Sequence, residues 1–586
     1  MIRAEFLPIL KDEMKRRGWV ELDVLLITGD AYVDHPSFGV AIIARVLEKE
    51  GFRVGIIPQP DWHSIKDFVR LGRPRLFVGI TSGNLDSMLN NYSPSKRKRK
   101  RDVYSPGGVS GSRPDRAVIV YANRIREAFG KIPLIIGGIE ASLRRLAHYD
   151  YWDDEVRRSI LLDSRADILV YGMGERQVPE IARRLNSGEN ISDFKNIRGT
   201  AFTVSKEELA SIKEYVEIPG FEEVKDNKKS FCEAFRLFYN ELNPVKGRTI
   251  VQAHQDRFIV QLPPSTPLTT EELDAIYRLP FTRRHHPYYE RFGGVPAFKT
   301  VQFSITSHRG CFGNCSFCAL MSHQGRIVQS RSAESILNEA REFTRDEDFK
   351  GIISDIGGPT ANMYMMGARS YSHVKQLDML KRVRELPGIK KVCISSGVRY
   401  DLILTDKTCN YLEELCKHYI SGQLKIAPEH ISDKVLSIMN KPSSRIYQRF
   451  IKKYEEVNKR LGKKQYLVQY FISSHPGCTL DDMVELAEYM RDMGYFQEQV
   501  QDFTPTPMTL STCIYWTGMD PFTGKEIHCA RNEKERAMQR ALLQYKDRDN
   551  HRLVMAALKK CNRLDLIGKG KRCLISNYPS KCPGET

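Results

Sequence analysis

No stretch of these 586 residues approaches the roughly 18 uninterrupted apolar positions that a membrane-spanning helix needs, so no transmembrane helix is expected. Residues Met1 to Glu13 carry too much charge, and too short an apolar run, for a secretory signal, which points to the cytoplasm. Cysteine is scarce in the first half, where only Cys232 precedes Cys311 among the thirteen in the chain. An odd number of thiols without an export signal argues against a disulfide framework and leaves metal binding or catalysis for the clustered ones. No internal repeat is visible beyond the alternation of strands and helices. Positive charge does not coat the chain either. Of the net +18, six charges come from the consecutive run Lys96 to Arg101, and a surplus of six lies in residues 552–586. One loop and one tail therefore carry most of the basicity, as a solubilising or a polyanion-contacting feature.

What is present is the composition of a large globular protein, 41% hydrophobic and 28% charged, long enough for two or three domains. The first 200 residues alternate apolar runs with amphipathic ones. Strands are expected at 23–28, 53–57, 76–80, 134–136 and 168–171, and helices at 39–50, 116–129 and 175–185. This is a five-stranded doubly wound domain, residues 1–204. Residues 90–116, rich in Ser, Pro, Gly and basic side chains, read as a long exposed loop. Residues 205–298 read as a connector holding a helix at 230–242 and a hairpin of 249–253 with 258–262. From 299 to 530 six further strand-then-helix units are expected, three quarters of a (β/α)8 barrel, with strands at 301–305, 351–354, 391–394, 423–426, 466–471 and 498–503. Residues 531–586 complete the chain as a basic helical tail.

The unusual motifs all follow strands of that partial barrel, on the rim where parallel barrels build their sites. After the first comes His308 to Cys318, with Cys311, Cys315 and Cys318 inside eight positions and Gly310, Gly313 and Asn314 breaking regular structure. After the second come Gly357 and Gly358. Ser395, Ser396 and Arg399 follow the third, and Glu429 and His430 close the fourth, where they are candidates for proton transfer. Three thiolates on one loop leave one iron of a 4Fe-4S cube open to a small chelating molecule. The alternative is a zinc site completed by His308 or His323. A second cluster on Cys513, Cys529, Cys561, Cys573 and Cys582 is not supported by their irregular spacing.

The Cys-x3-Cys-x2-Cys spacing, with Phe317 before the last cysteine, resembles the radical S-adenosylmethionine (SAM) superfamily. The stretches Thr28 to Gly39, Pro106 to Val109, Asp355 to Tyr364 and Lys425 to His430 resemble its YgiQ family over nearly the whole chain. The resemblance implies an α/β protein with a cobalamin-binding-like N-terminal domain and a partial (β/α)6 radical SAM barrel. It implies that Cys311, Cys315 and Cys318 ligate a 4Fe-4S cluster and that Phe317 lies along the adenine. Gly357 and Gly358 then receive the methionine amino group, and Ser395, Ser396 and Arg399 hold ribose and carboxylate. The chain has Pro359 where the superfamily often has Glu. Reductive cleavage of SAM to a 5′-deoxyadenosyl radical is the implied activity, with a flavodoxin- or ferredoxin-type electron donor and RNA or another polyanion as the expected partners. Cobalamin domains usually carry Asp-x-His-x-x-Gly, whereas Asp34 and His35 are adjacent here and Gly39 comes one residue late. That argues against cobalamin and for Asp34 as a helix cap. The competing class is a nucleic-acid-binding protein with a structural or redox-sensing iron–sulfur or zinc site.

Overall fold

Aliphatic runs buried on both faces make the central strands of the first sheet, as parallel strands covered by helices require. The computed structural model describes residues 5–367, 371–495 and 501–577. Its first sheet contains β1 (Val24–Thr28), β2 (Val54–Pro58), β3 (Phe77–Thr81), β4 (Leu134–Ile136) and β5 (Ile168–Val170). β1 pairs in parallel with β2 on one side and β3 on the other, and β4 and β5 continue beyond β3. The chain thus leaves β1 for one edge and returns past it, which puts the switch point of a doubly wound sheet between β1 and β3. All five strands lie where the sequence placed them.

The sheet does not stop at five strands. β6 (Thr200–Val204), β7 (Tyr215–Ile218), β8 (Thr249–His254) and β9 (Arg257–Gln261) extend it to nine, in the order β7-β8-β9-β6-β5-β4-β3-β1-β2. β6 runs antiparallel to β5, and the β8–β9 hairpin adds to β6. The hairpin expected in a connector is therefore part of the first sheet, and the expected boundary at 204/205 cuts through that sheet. The physical reason is the open edge of β5, whose unpaired N–H and C=O groups need a neighbouring strand.

Two further expectations are corrected. Residues 90–116 are not simply an exposed loop. Lys96 to Arg101 is exposed, but Asp102, Ser105 and Arg113 are buried, and Arg113 pairs with Asp30 at 2.8 Å and with Asp102 at 3.3 Å just beyond β1. Asp34 caps no helix. It is wholly buried, ion-paired with Arg45, and accepts the N–H of Thr282 at 2.9 Å, while Phe38 occupies the cap of helix Gly39–Lys49.

By its internal contacts the chain divides into one unit of residues 1–313 with 319–396, and a second of 314–318 with 397–586. In the first, a helix at Pro296–Val301 precedes β10 (Ser304–Thr306), so the strand expected from Val301 begins three residues later. Pro296, at the first turn of that helix, is well suited to starting it. β11 (Ile352–Ile353) pairs in parallel with β13 (Lys391–Val392), and β12 (Asp355–Gly357) with β10. In the second unit, β14 (Gln423–Glu429), β15 (Tyr466–Ser473) and β16 (Gln501–Asp502) form a parallel set. Residues 498–500 of the expected sixth strand lie outside the described residues. Helices begin at Ala333, Val374, Asp433, Leu480 and Glu533, and the region near Asp406 separates helices Tyr400–Thr405 and Tyr411–Glu414. The expected C-terminal tail is packed rather than free: buried Gln539 donates to the Cys478 carbonyl at 3.0 Å and accepts the Ser474 N–H at 2.9 Å.

Candidate functional site

The three-cysteine loop leaves a short strand, His308–Arg309, that pairs with Gln329–Ser330. Gly310 has φ 77° and packs against the Ile327 carbonyl so closely that a Cβ has no room there, and Asn314 takes φ 54°. Of the three loop-breaking residues these two adopt the left-handed conformation, which turns the chain just before Cys311 and again between Cys311 and Cys315. Cys311, Cys315 and Cys318 are partly exposed. Cys311 Sγ receives the Gly313 N–H at 3.3 Å and lies 3.5 Å from Thr360 Oγ1, which belongs to the loop after β12.

His308 ties the same two loops together. Its Nε2 donates to the Thr360 carbonyl at 2.9 Å, its Nδ1 lies 2.9 Å from the Ser307 hydroxyl, and burial pushes its pKa down to about 4. Gly358 is required beside it, since a Cβ there would stand 2.6 Å from the His308 carbonyl oxygen and 2.7 Å from Nε2. With both ring nitrogens engaged, His308 is not a spare metal ligand, and His323 Nδ1 is held by Ser142 Oγ at 3.0 Å. Among the described residues no three His, Cys, Asp or Glu side chains are gathered as ligands of a single ion. Neither the three loop cysteines nor Cys513, Cys529, Cys561 and Cys573 form such a group, and Cys582 lies outside the described residues.

In the second unit, a polar chain holds the Cys315–Cys318 turn. Ser316 Oγ accepts from Ser511 Oγ at 2.8 Å, Ser511 Oγ is 2.7 Å from His475 Nε2, and the Ser316 N–H donates to the Met439 carbonyl at 3.0 Å. His475 is buried, which drives its pKa to about 3, and its ring meets Phe317 edge-on at 5.9 Å. Ser316 and Ser511 are not legible from sequence as site residues; His475 is, as part of the Ser473-Ser-His-Pro-Gly477 motif that follows the fifth expected strand on the same rim.

A cavity of about 570 Å³ lies within the first unit, against the parallel strands β1, β3, β4 and β5 of the sheet. Its apolar wall includes Leu26, Ile43, Phe77, Ile136 and Val170, and the glycines Gly83, Gly137, Gly138, Gly172 and Gly174 open its rim. Across it stand His308, Arg309, Asp355, Gly357, Gly358 and Ser396. Asp355 organises that side: its Oδ1 accepts the N–H groups of Ser395 at 2.8 Å and Ser396 at 3.2 Å, and the Ser396 hydroxyl bonds Oδ2. Ser395 turns its hydroxyl to the Ser354 carbonyl at 2.7 Å and is not part of the lining, so Ser396 rather than Ser395 faces the cavity. Asp355 was quoted in a motif but given no role; its position one strand-step before Gly357 is the signal. Arg309 and Glu175 form a buried ion pair at the wall, and Arg309 Nη2 and Glu175 Oε2 have no protein partner.

Three expected residues are otherwise engaged in the second unit. Arg399 grips Asp401 with its fork, at 2.8 and 2.6 Å. Glu429 is buried with φ 69°, its pKa raised by burial against the opposing pull of Lys441 3.6 Å away, and its Oε2 is unpartnered. His430 is wholly enclosed, accepts the Ser432 N–H at 3.0 Å, lies 3.5 Å from Cys478 Sγ, and is held neutral by burial at a pKa of about 4. A ring so enclosed exchanges no proton with a ligand directly.

Family comparisons agree with this arrangement. The Radical SAM N-terminal model matches residues 6–304, the Radical SAM superfamily model residues 305–490, and a domain of unknown function (DUF3362) residues 498–586. A UPF0313 protein of Clostridium botulinum is 53% identical over 98% of this chain and 92% of its own length. A UPF0313 protein of Methanocella arvoryzae is 55% identical, covering 96% of this chain and 97% of that one. The chain belongs to the radical SAM superfamily, among the UPF0313 proteins. It is accordingly a radical SAM enzyme, an α/β protein with an N-terminal domain followed by a radical SAM domain. Among solved structures, the methyltransferase TsrM from Kitasatospora setae, with cobalamin and a [4Fe-4S] cluster bound, aligns at TM-score 0.48 and 14% identity over 84% of this chain and 77% of that one. The cobalamin-dependent radical enzyme OxsB, with aqua-cobalamin and SAM bound, aligns at 0.46 and 11%, over 83% and 54%. Among the described residues of this radical SAM enzyme, no helix is long and apolar enough to cross a membrane.

Proposed function

We propose that this radical SAM enzyme holds one 4Fe-4S cluster on Cys311, Cys315 and Cys318, binds SAM beside Gly357, Gly358 and Ser396, and acts on a ligand lodged over the N-terminal sheet. The observation that carries this reading is the cavity of about 570 Å³ whose walls come both from the sheet's switch point and from the Gly357–Gly358 loop bonded to the cysteine strand. The donor set fits the cluster: three partly exposed thiols within eight residues, on a loop turned by Gly310 and Asn314. A bound cluster, once reduced, supplies the electron that breaks a carbon–sulfur bond of SAM and releases a 5′-deoxyadenosyl radical.

The chain's own contribution is binding and exclusion. Asp355 supplies the acidic contact that Pro359 cannot, with a carboxylate fixed by two backbone N–H groups and facing the cavity. Gly358 lets the ligand loop approach His308, and the apolar wall over β1, β3, β4 and β5 keeps water from a reactive species. His35 is buried, accepts the Ser37 N–H at 3.1 Å, has Arg283 Nη1 3.4 Å from Nε2 and does not line the cavity, so cobalamin, a plausible cofactor here rather than the unlikely one that the Asp34–His35 spacing suggests, would be held by residues other than Asp34 and His35. Cobalt analysis of protein produced with a cobalamin supply checks that.

The test is anaerobic reconstitution with iron and sulfide, reduction, and addition of SAM. Release of 5′-deoxyadenosine, abolished in Cys315→Ala, supports the reading. A reconstituted protein with about four irons that releases none under several reductants overturns it, and so does one that takes up zinc alone.

A further inference from the structure

Beside the main cavity lies a smaller chamber of about 70 Å³, room for about five water molecules or one compact anion. The two share Gly172, Met173, His323 and Gln324 in their walls, so a ligand in the large space has the small one as a neighbour. Ser265, Thr266, Gln329, Arg176 and Arg326 belong to the small chamber's polar lining.

Arg326 is the anomaly. Its Nε and Nη2 are buried and meet no acceptor, and its guanidinium lies over the Tyr239 ring at 4.2 Å. Burial lowers its pKa, and no carboxylate acts on it in the opposite direction. The other arginine of the chamber, Arg176, is fully committed, with two bonds to Glu272 and two to Thr266. Close to the same wall, Arg145 is wholly buried without a counter-ion. It bonds the neutral Gln261 side chain and the Ser142 carbonyl, stacks on Tyr171 at 4.4 Å, and leaves Nη2 unpartnered. Burial pulls it down to about 10. His323, in the shared wall, is pushed to about 4 by burial and by Arg145.

Two partly or wholly buried guanidinium groups without carboxylates are costly, because a buried charge is normally paired. Arg also matches phosphate oxygens with its planar fork. We propose that the chamber is an anion subsite that takes a phosphate group of an organic phosphate whose body occupies the main cavity. Arg326 is the contacting residue, and Arg145 supplies the deeper positive field. That this ligand is the substrate rests on the radical SAM reading above; the binding itself requires no cluster and is measured without one.

Equilibrium dialysis of the full-length apo protein with labelled inorganic phosphate, and thermal melting with phosphate, AMP and adenosine, test it. Saturable phosphate binding that raises Tm, and at least tenfold tighter binding of AMP than of phosphate or adenosine alone, are expected. Arg326→Met should weaken phosphate at least tenfold while leaving Tm without phosphate unchanged or higher, since it removes an unpaired buried charge. Arg326→Lys, which keeps charge but not the fork, should bind phosphate with intermediate strength if the methionine variant does not fold. The proposal is overturned by any of these: no saturable phosphate binding, wild-type affinity in either variant, a large loss of Tm without phosphate in both, or AMP no tighter than phosphate. Loss of deoxyadenosine release with intact phosphate binding would count against the radical reading and leave the subsite standing.

Discussion

Arg144 and Arg145 are adjacent in sequence and both buried, yet they live in opposite electrostatic worlds. Arg144 is ion-paired with Asp86, has Glu140 beside it, and has its pKa raised because these carboxylates outweigh the cost of burial. Glu140 in turn accepts the N–H groups of Ser87 at 2.8 Å and Val118 at 3.0 Å, so this group locks the loop after β3 to the helix at Ala117–Phe129. Arg145 has only a neutral amide and a carbonyl. The Asp30–Arg113–Asp102 group past β1 repeats the paired pattern. Paired charge here fastens loops around the switch point, whereas unpaired charge gathers on one side of the cavity, where a ligand can complete it.

The largest effect that could break this contrast is on stability. Arg144→Met leaves Asp86 and Glu140 buried with no cation and is expected to cost about 3–5 kcal/mol, seen as a sharp fall in Tm or in soluble yield. Arg145→Met removes a charge that has no counter-ion and is expected to shift stability by about 1 kcal/mol or less in either direction. Equal losses in the two variants would erase the distinction between structural and ligand-directed arginines.

A second, smaller effect comes from the histidine beside each arginine. Burial and Arg144 hold His148 at a pKa of about 4 against the pull of Asp150, and burial and Arg145 hold His323 at about 4, with Glu175 raising and Arg309 lowering it. Both folded values lie below the unfolded value of about 6.5. Stability is therefore full above pH 6.5 and is lost as pH falls from 6.5 towards 4, by up to about 3 kcal/mol per histidine. The two should separate on adding phosphate. An anion beside Arg145 raises the pKa of His323, so phosphate should protect more at pH 5.5 than at pH 7.5. His323→Gln should remove that extra protection and His148→Gln should not, as measured by Tm across pH.

How much of this could be read in advance follows from the range of the interactions. The strands β1 to β5 were legible because a parallel strand buried on both faces is an unbroken aliphatic run, as in Val24–Thr28. The cysteine loop was legible because its ligands lie within eight residues. The place of the β8–β9 hairpin was not, since the hairpin is local but the open edge of β5 that it helps to extend is set about 80 residues earlier. Nor was the burial of Arg113, whose partner Asp30 is far off in the chain. Glu429 and His430 were placed correctly at a strand end, but whether an enclosed His430 can trade protons depends on Ser432 and Cys478 packing around it. Hardest of all was Arg145, because what distinguishes it from Arg144 is the absence of a carboxylate in space.

The smallest effect concerns positive charge that is neither paired inside nor poised at the cavity. Lys96 to Arg101 is exposed to solvent on the loop after β3, with Lys96 Nζ donating to the Trp152 carbonyl at 3.2 Å and lying over the Tyr151 ring at 4.8 Å. Replacing Arg97, Lys98 and Lys100 by Gln should change stability by no more than about 0.5 kcal/mol per site, because exposed charges keep their water. If the run contacts a polyanion, the same triple variant should flatten the dependence of RNA-oligonucleotide affinity on salt by about two to three units of log–log slope. An unchanged slope would mean that the run solubilises the protein, and would leave Arg326 and Arg145 as the basic groups with a ligand to meet.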